Sequence, residues 1–268
     1  MTTAERTDQG TRKIDATLIS AMKSGSTYLQ GIFLKHPEVY LSRAAHTDTT
    51  VIPDMKDYQG EKLVMVRRNM KPHADQAQIY RTANQNMKFI MLVRNPVDRA
   101  FSQFVHHVNK HTKMKKVINV HPAAVQRNIY DINKDIEVRR SAYENNEVGW
   151  VKKSLFYNCL SPYLDLFPGE NFFVVPLKIF GSDPQHWFDR MCDFLGVSRL
   201  ENISGLDKVV NAGRYKASVL NRMTRRKTPE FIKPTDETKQ FLTGLFRDDA
   251  RKLGDVIGMD VVSIWNLK

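Results

Sequence analysis

Two short stretches of this sequence carry side chains suited to gripping anions. The first is Ser20–Thr27 (SAMKSGST), where Lys23, Gly25 and the hydroxyl residues Ser24, Ser26 and Thr27 crowd a turn between apolar segments. A strand, a small-residue loop and a helix in that order present unpaired backbone N–H groups and a positive helix end to an anion. Against the phosphate-cradling pattern G-x-x-x-x-G-K-[ST], Gly25 and Thr27 fall on the second glycine and the final hydroxyl. Ser26 stands where that pattern needs its lysine, and Lys23 lies three residues earlier. A nucleotide triphosphatase needs that lysine on the β/γ-phosphates, so the displaced cation disfavours ordinary ATP or GTP hydrolysis. The second stretch is Arg94–Ser102 (RNPVDRAFS), directly after the apolar run KFIMLV. A guanidinium and a hydroxyl together make a phosphate clamp. The plainer uses of these residues are a solvated turn for the first stretch and ion pairs of Arg94 and Arg99 with Asp98 or other carboxylates for the second.

The elements that must position them are short. Ala16–Ser20 feeds the loop as a strand, and Tyr28–Lys35 follows at helical spacing until Pro37. Val39–Ser42, Leu63–Val66, Lys88–Val93 and Phe172–Leu177 read as further buried strands. Asp75–Met87 reads as a polar helix, and Pro96 opens another through His107, with Asp98 near its positive end. Ser102 falls about one and a half helical turns beyond Pro96. Asn109–Asn146 is lysine-rich and weakly helical, the least legible part of the chain. Trp150–Phe167 reads as an apolar helix interrupted at Pro162, with Trp150, Phe156 and Tyr163 as a core stripe. Pro184–Leu195 is a helix capped by Gly196, Lys208–Lys227 is basic and irregular, and Thr235–Ile257 is an amphipathic helix ended by Gly258. The alternation predicts an α/β fold of three layers, with a mostly parallel central sheet flanked by helices. Residues 1–12 read as a flexible N-terminal tail and 13–268 as a single domain.

Composition bounds the function. Of 268 residues, 41% are hydrophobic, enough for a core, so global disorder is excluded. Lys+Arg total 41 against 29 Asp+Glu, a net charge of +12 that favours anionic partners. Cys159 and Cys192 sit in apolar helical patterns and read as buried, reduced thiols; no His/Cys/Asp spacing suggests a metal cage. The longest clean apolar run, Phe89–Val93, falls far short of the ~20 residues a membrane span needs. With no apolar segment of signal-peptide length in residues 1–12, the expectation is a soluble, cytoplasmic protein.

Taken together, the two stretches resemble a known family. KSGSTYL is similar to the 5′-phosphosulfate loop (K-x-G-[ST]-T-x-L) of sulfotransferases that use 3′-phosphoadenosine 5′-phosphosulfate (PAPS), and RNPVDRAFS to their 3′-phosphate motif (R-[DN]-P-x-x-R-A-x-S). His36-Pro37, Ser154–Pro168, Asp193–Gly196 and Phe246–Trp265 resemble the family's other elements, closer to its glycan-sulfating and bacterial branch than to the cytosolic phenol branch. The resemblance implies the P-loop-like sulfotransferase fold and in-line transfer of a sulfuryl group to an acceptor hydroxyl or amine. It implies that Lys23 stabilises the departing 5′-phosphate, with Ser24, Gly25, Ser26 and Thr27 beside it. Arg94 and Ser102 would hold the 3′-phosphate, with Arg214 in a late basic loop as a second contact. No metal is required in this scheme. Where the glycan-sulfating branch carries a catalytic glutamate, this chain has Leu41–Asp48 (LSRAAHTD), which makes His46 the candidate base and Asp48 its alternative. His106 and His107 read as packing or surface residues.

Two other readings use the same features. A nucleotide or small-molecule kinase would share the fold but needs a lysine at position 26. A non-catalytic nucleic-acid binder would use the +12 charge through exposed aromatics, whereas the aromatics here follow buried patterns, so no nucleic-acid partner is expected. The acceptor stays open among glycan, metabolite, lipid and peptide, with glycan or metabolite favoured by the resemblance.

Overall fold

In the computed structural model, which describes residues 13–42, 57–69, 74–114, 118–201 and 229–268, the apolar runs pair edge to edge as parallel strands. They are β1 (Ala16–Ser20), β2 (Val39–Leu41), β3 (Leu63–Asn69), β4 (Lys88–Val93) and, beyond the short β5 (Val125–Gln126) and β6 (Ile129–Asp131), β7 (Phe172–Pro176). Their order is β2-β3-β1-β4-β7, with every neighbouring pair parallel. Parallel strands need covered crossovers, and here these are α1 (Ser26–Phe33), α2 (Ala74–Ala83) and α3 (Pro96–Met114). The chain leaves β1 toward one edge of the sheet and β4 toward the other. A crevice therefore opens at the carboxyl ends of these adjacent strands.

Strand periodicity divides the core into two faces. Phe89, Met91 and Val93 of β4 point into one cluster, while Ile90 and Leu92 point into the other, all of them fully buried. The first cluster is covered by α3, α6 (Gly149–Lys152), α7 (Phe156–Leu164) and α10 (Asp236–Ile257). The second is covered by α1, α8 (Leu177–Ser182) and α9 (Pro184–Leu195). This is the three-layer α/β arrangement the alternation predicts.

The differences from the sequence reading have physical causes. The apolar stretch 150–167 breaks at residues 153–155, between α6 and α7, and Pro162 sits inside α7. The half-buried Asp249 carboxylate of α10 accepts the backbone N–H groups of Tyr157 (3.0 Å) and Asn158 (2.8 Å), so a distant residue starts α7. Burial pushes its acid up to about 6. α3 runs past His107 to Met114. The illegible stretch that follows holds β5, β6, α4 (Ile132–Val138) and α5 (Arg140–Glu144), and β8 (Glu230–Ile232) completes a second sheet with it, in the order β5-β6-β8. It is organised by Asp135, fully buried, which accepts from the His121 N–H (2.7 Å) and the Tyr143 hydroxyl (2.8 Å) and pairs with Arg139. No local period announces such a network. Among the described residues no helix is long and apolar enough to cross a membrane.

Near the C-terminus, α10 turns tightly into α11 (Val261–Ile264). A Cβ on Gly254 would lie 2.6 Å from the Met259 carbonyl oxygen, closer than real contacts allow. Gly254→Ala should therefore lower the unfolding free energy by about 2 kcal/mol, read from urea denaturation; an unchanged midpoint would show the turn yields freely.

Candidate functional site

The crevice at the strand ends is a cleft of about 1080 Å³, room for more than one small reactant. Its first wall is the β1–α1 loop. Lys23 and Gly25 both adopt positive φ, 74° and 97°. Gly25 is the residue before α1, and a Cβ there would approach Leu92 and Leu177 at 3.1 Å each, so glycine lets the loop lie against the sheet. α1 starts with no side-chain cap. The N–H groups of Tyr28 and Leu29 turn back on the Gly25 carbonyl (3.0 and 3.2 Å). The Ser26 and Thr27 N–H groups then open the helix toward the cleft with its positive dipole end.

The second wall is the start of α3. Asn95 caps it, its Oδ1 accepting from the N–H groups of Val97 (2.9 Å) and Asp98 (3.2 Å), and Pro96 takes the first helical position. Arg94, Asp98 and Ser102 line the cleft. Arg94 pairs with no carboxylate among the described residues, so the expected alternative, an Arg94–Asp98 ion pair, is not formed. Arg99 also pairs with no carboxylate there; it is buried and bonded elsewhere.

Of the sequence candidates, Lys23, Gly25, Ser26, Thr27, Arg94 and Ser102 come together around this one cleft. Ser24 does not line it: the residue is fully buried, and its hydroxyl has no partner among the described residues. His46, Asp48 and Arg214 lie outside the described residues. Sequence reasoning missed a third wall, made by Leu177 and Lys178 of α8 and by Trp265 and Asn266 beyond α11. It is held by the Asn95 amide donating to the Trp265 carbonyl (2.8 Å) and the Lys178 ammonium donating to the Ile264 carbonyl (3.1 Å). Only Asn95, beside the arginine of its motif, offered a local signal for this wall.

Apart from Asp98, the charged side chains lining the cleft, Lys23, Arg94 and Lys178, are cationic. Burial, with the Arg94 guanidinium adding to it, holds the Lys23 ammonium below the usual lysine range. Further along α3, burial and the charges of Lys23 and Lys110 lower His106. These groups disfavour one another's charge, which an anion in the cleft would relieve. Among the described residues no cluster of three or more His, Cys, Asp or Glu is placed to hold a metal.

Comparisons with known proteins add an independent line. The model of the family described as "Sulfotransferase domain" matches residues 13–248. No curated protein matches. Among solved structures, the chain is similar to a sulfotransferase from Alicyclobacillus acidocaldarius, with 19% identity, a TM-score of 0.64, and 95% of this chain and 99% of that one covered. It is also similar to mouse sulfotransferase SULT7A1 complexed with PAP, with 14% identity, a TM-score of 0.55, and 92% and 89% covered. At these identities the two structures speak for the fold.

Beyond the cleft, α3 carries a pH-sensitive cluster. The His107 ring lies 4.0 Å from that of His111, and its Nε2 accepts from the Asn119 N–H (3.3 Å). Burial, then His111, His106, Lys110 and Lys153, pull His107 down to about 4. The folded state therefore holds it neutral, a contribution complete above pH ~6.5 and lost as pH falls toward 4. Denaturation between pH 7 and 4 should show His107→Gln flattening that acid loss; a parallel curve would contradict the assignment.

Proposed function

We propose that this chain, which belongs to the sulfotransferase domain family, transfers a sulfuryl group from 3′-phosphoadenosine 5′-phosphosulfate to an acceptor hydroxyl or amine. The observation that carries the donor assignment is the convergence of Lys23 and Arg94 on one cleft, with Arg94 unpaired by any described carboxylate. An anhydride with phosphates at both ends of its ribose fits two cationic walls carried at the ends of the adjacent strands β1 and β4. When bound, that donor supplies an activated sulfuryl group on a phosphate leaving group.

The residues' tasks follow from where they stand. The Lys23 ammonium and the Ser26 and Thr27 N–H groups offset charge gathering on the departing 5′-phosphate oxygen. Their positions are set before reaction, so little reorganisation is needed. Arg94 and the Ser102 hydroxyl hold the 3′-phosphate and so separate this donor from ATP. Ser26 at the position where a kinase needs lysine argues against the kinase reading. In the same reading His46 takes the acceptor's proton, and Arg214 adds to the 3′-phosphate clamp. A glycan or metabolite acceptor rests on the motif likeness to the glycan-sulfating and bacterial branch. Cytoplasmic placement rests on two cysteines that are buried and free.

Calorimetry with adenosine 3′,5′-bisphosphate against AMP tests the donor. The bisphosphate should bind wild type at least tenfold more tightly, and Arg94→Ala should remove most of that preference, as expected for a charged phosphate contact of about 2 kcal/mol. Equal affinities in wild type would reject the 3′-phosphate site. Lys23→Ala should collapse sulfate transfer while costing nucleotide affinity only modestly; near-normal turnover would remove its assigned role.

A further inference from the structure

Arg99 is the largest fully buried side chain among the described residues, yet it has no carboxylate partner there. Its guanidinium spans three segments. Nε donates to the Ser154 hydroxyl (2.8 Å), Nη1 to the Gln103 amide oxygen (2.5 Å) and the Met22 carbonyl (3.0 Å), and Nη2 to the Trp150 carbonyl. The Ser154 hydroxyl in turn lies 2.9 Å from the Trp150 carbonyl and 3.1 Å from that of Pro96. Only a planar fork with donors on three nitrogens reaches such a set from one position. Desolvation is costly for an unpaired cation: burial, with Arg94 adding, pulls Arg99 down to about 9. A fold that only needed to fill this space would place an apolar side chain there.

The contact that matters is the one to Met22. In a trans peptide the carbonyl and the following N–H point in opposite directions, and no described peptide bond is cis. Holding the Met22 carbonyl on the buried guanidinium thus turns the Lys23 N–H the other way. Lys23 itself sits at φ 74°, a conformation a lysine adopts only when its surroundings impose it. We infer that Arg99 is the positioning residue of the anion loop: through Met22 it fixes the Lys23 backbone, and with it the 5′-phosphate half of the nucleotide site, leaving the 3′-phosphate half to Arg94 and Ser102.

This inference rests on the proposed donor, and the test separates the two. Calorimetry with adenosine 3′,5′-bisphosphate, 5′-AMP and 3′-AMP gives two ratios for each protein: the gain from the 5′-phosphate and the gain from the 3′-phosphate. In Arg99→Met the 5′-phosphate gain should fall at least tenfold, while the 3′-phosphate gain stays within about threefold. Arg99→Lys keeps the charge but reaches fewer acceptors, so it should lose an intermediate part of the same ratio; it also serves if the methionine variant fails to fold. Circular dichroism and thermal melts report folding separately. Equal losses in both ratios, or no loss in either, overturn the positioning role. A wild type that gains nothing from either phosphate overturns the donor assignment instead.

Discussion

Like charges held close together without neutralisation are the constraint around which the strand ends are built. Lys23 and Arg94 share one cleft, and burial together with the arginine's charge disfavours the lysine's own. Arg99, fully buried, adds a third cation with no carboxylate partner among the described residues. An arrangement of this kind costs folding energy and is relieved by an anion. In the proposed reading, the same electrostatic strain serves anion affinity and, through Lys23, the stabilising of a leaving phosphate. The open N-terminus of α1 works in the same direction without adding a side chain to be desolvated.

Such crowding demands a rigid support. The parallel sheet provides it, since β1 and β4 are paired with one another and buried on both faces. Each loop inherits its position from a strand that cannot shift without disturbing a packed layer. Two further ties lock the loops to each other and to the chain's end. Arg99 joins α3 to the loop after β1 and to the segment around Trp150, and Asn95 joins the start of α3 to Trp265. The C-terminal turn, which α10 can enter closely only because residue 254 is glycine, thereby ends in a wall of the cleft.

The family resemblance carried by the two motifs agrees with the match over residues 13–248, and the sheet order explains why motifs so far apart in the chain meet at one cleft. Reading alternation and caps placed β1, β4, β7, α9 and α10 close to where they lie, because each is a long or well-punctuated apolar pattern. It failed between residues 109 and 155. There the structure is set by polar contacts that follow no apolar period: the buried Asp135 with His121, Tyr143 and Arg139, and Asp249, far along the chain, with the start of α7.

What the amino-acid sequence determined by itself was local: a lysine displaced from the nucleotide-triphosphatase position, a glycine that permits the turn, and an arginine and a serine spaced along a helix start. These follow from residue type and spacing alone. Tertiary structure decided which of them meet, that Ser24 faces inward while its neighbours face the cleft, that Arg99 bonds backbone carbonyls in place of a carboxylate, and that Trp265 closes the far wall. The reason is that a side chain's partner is set by the packing of whole layers, and a guanidinium's five N–H groups donate to any correctly placed oxygen, whichever part of the chain supplies it.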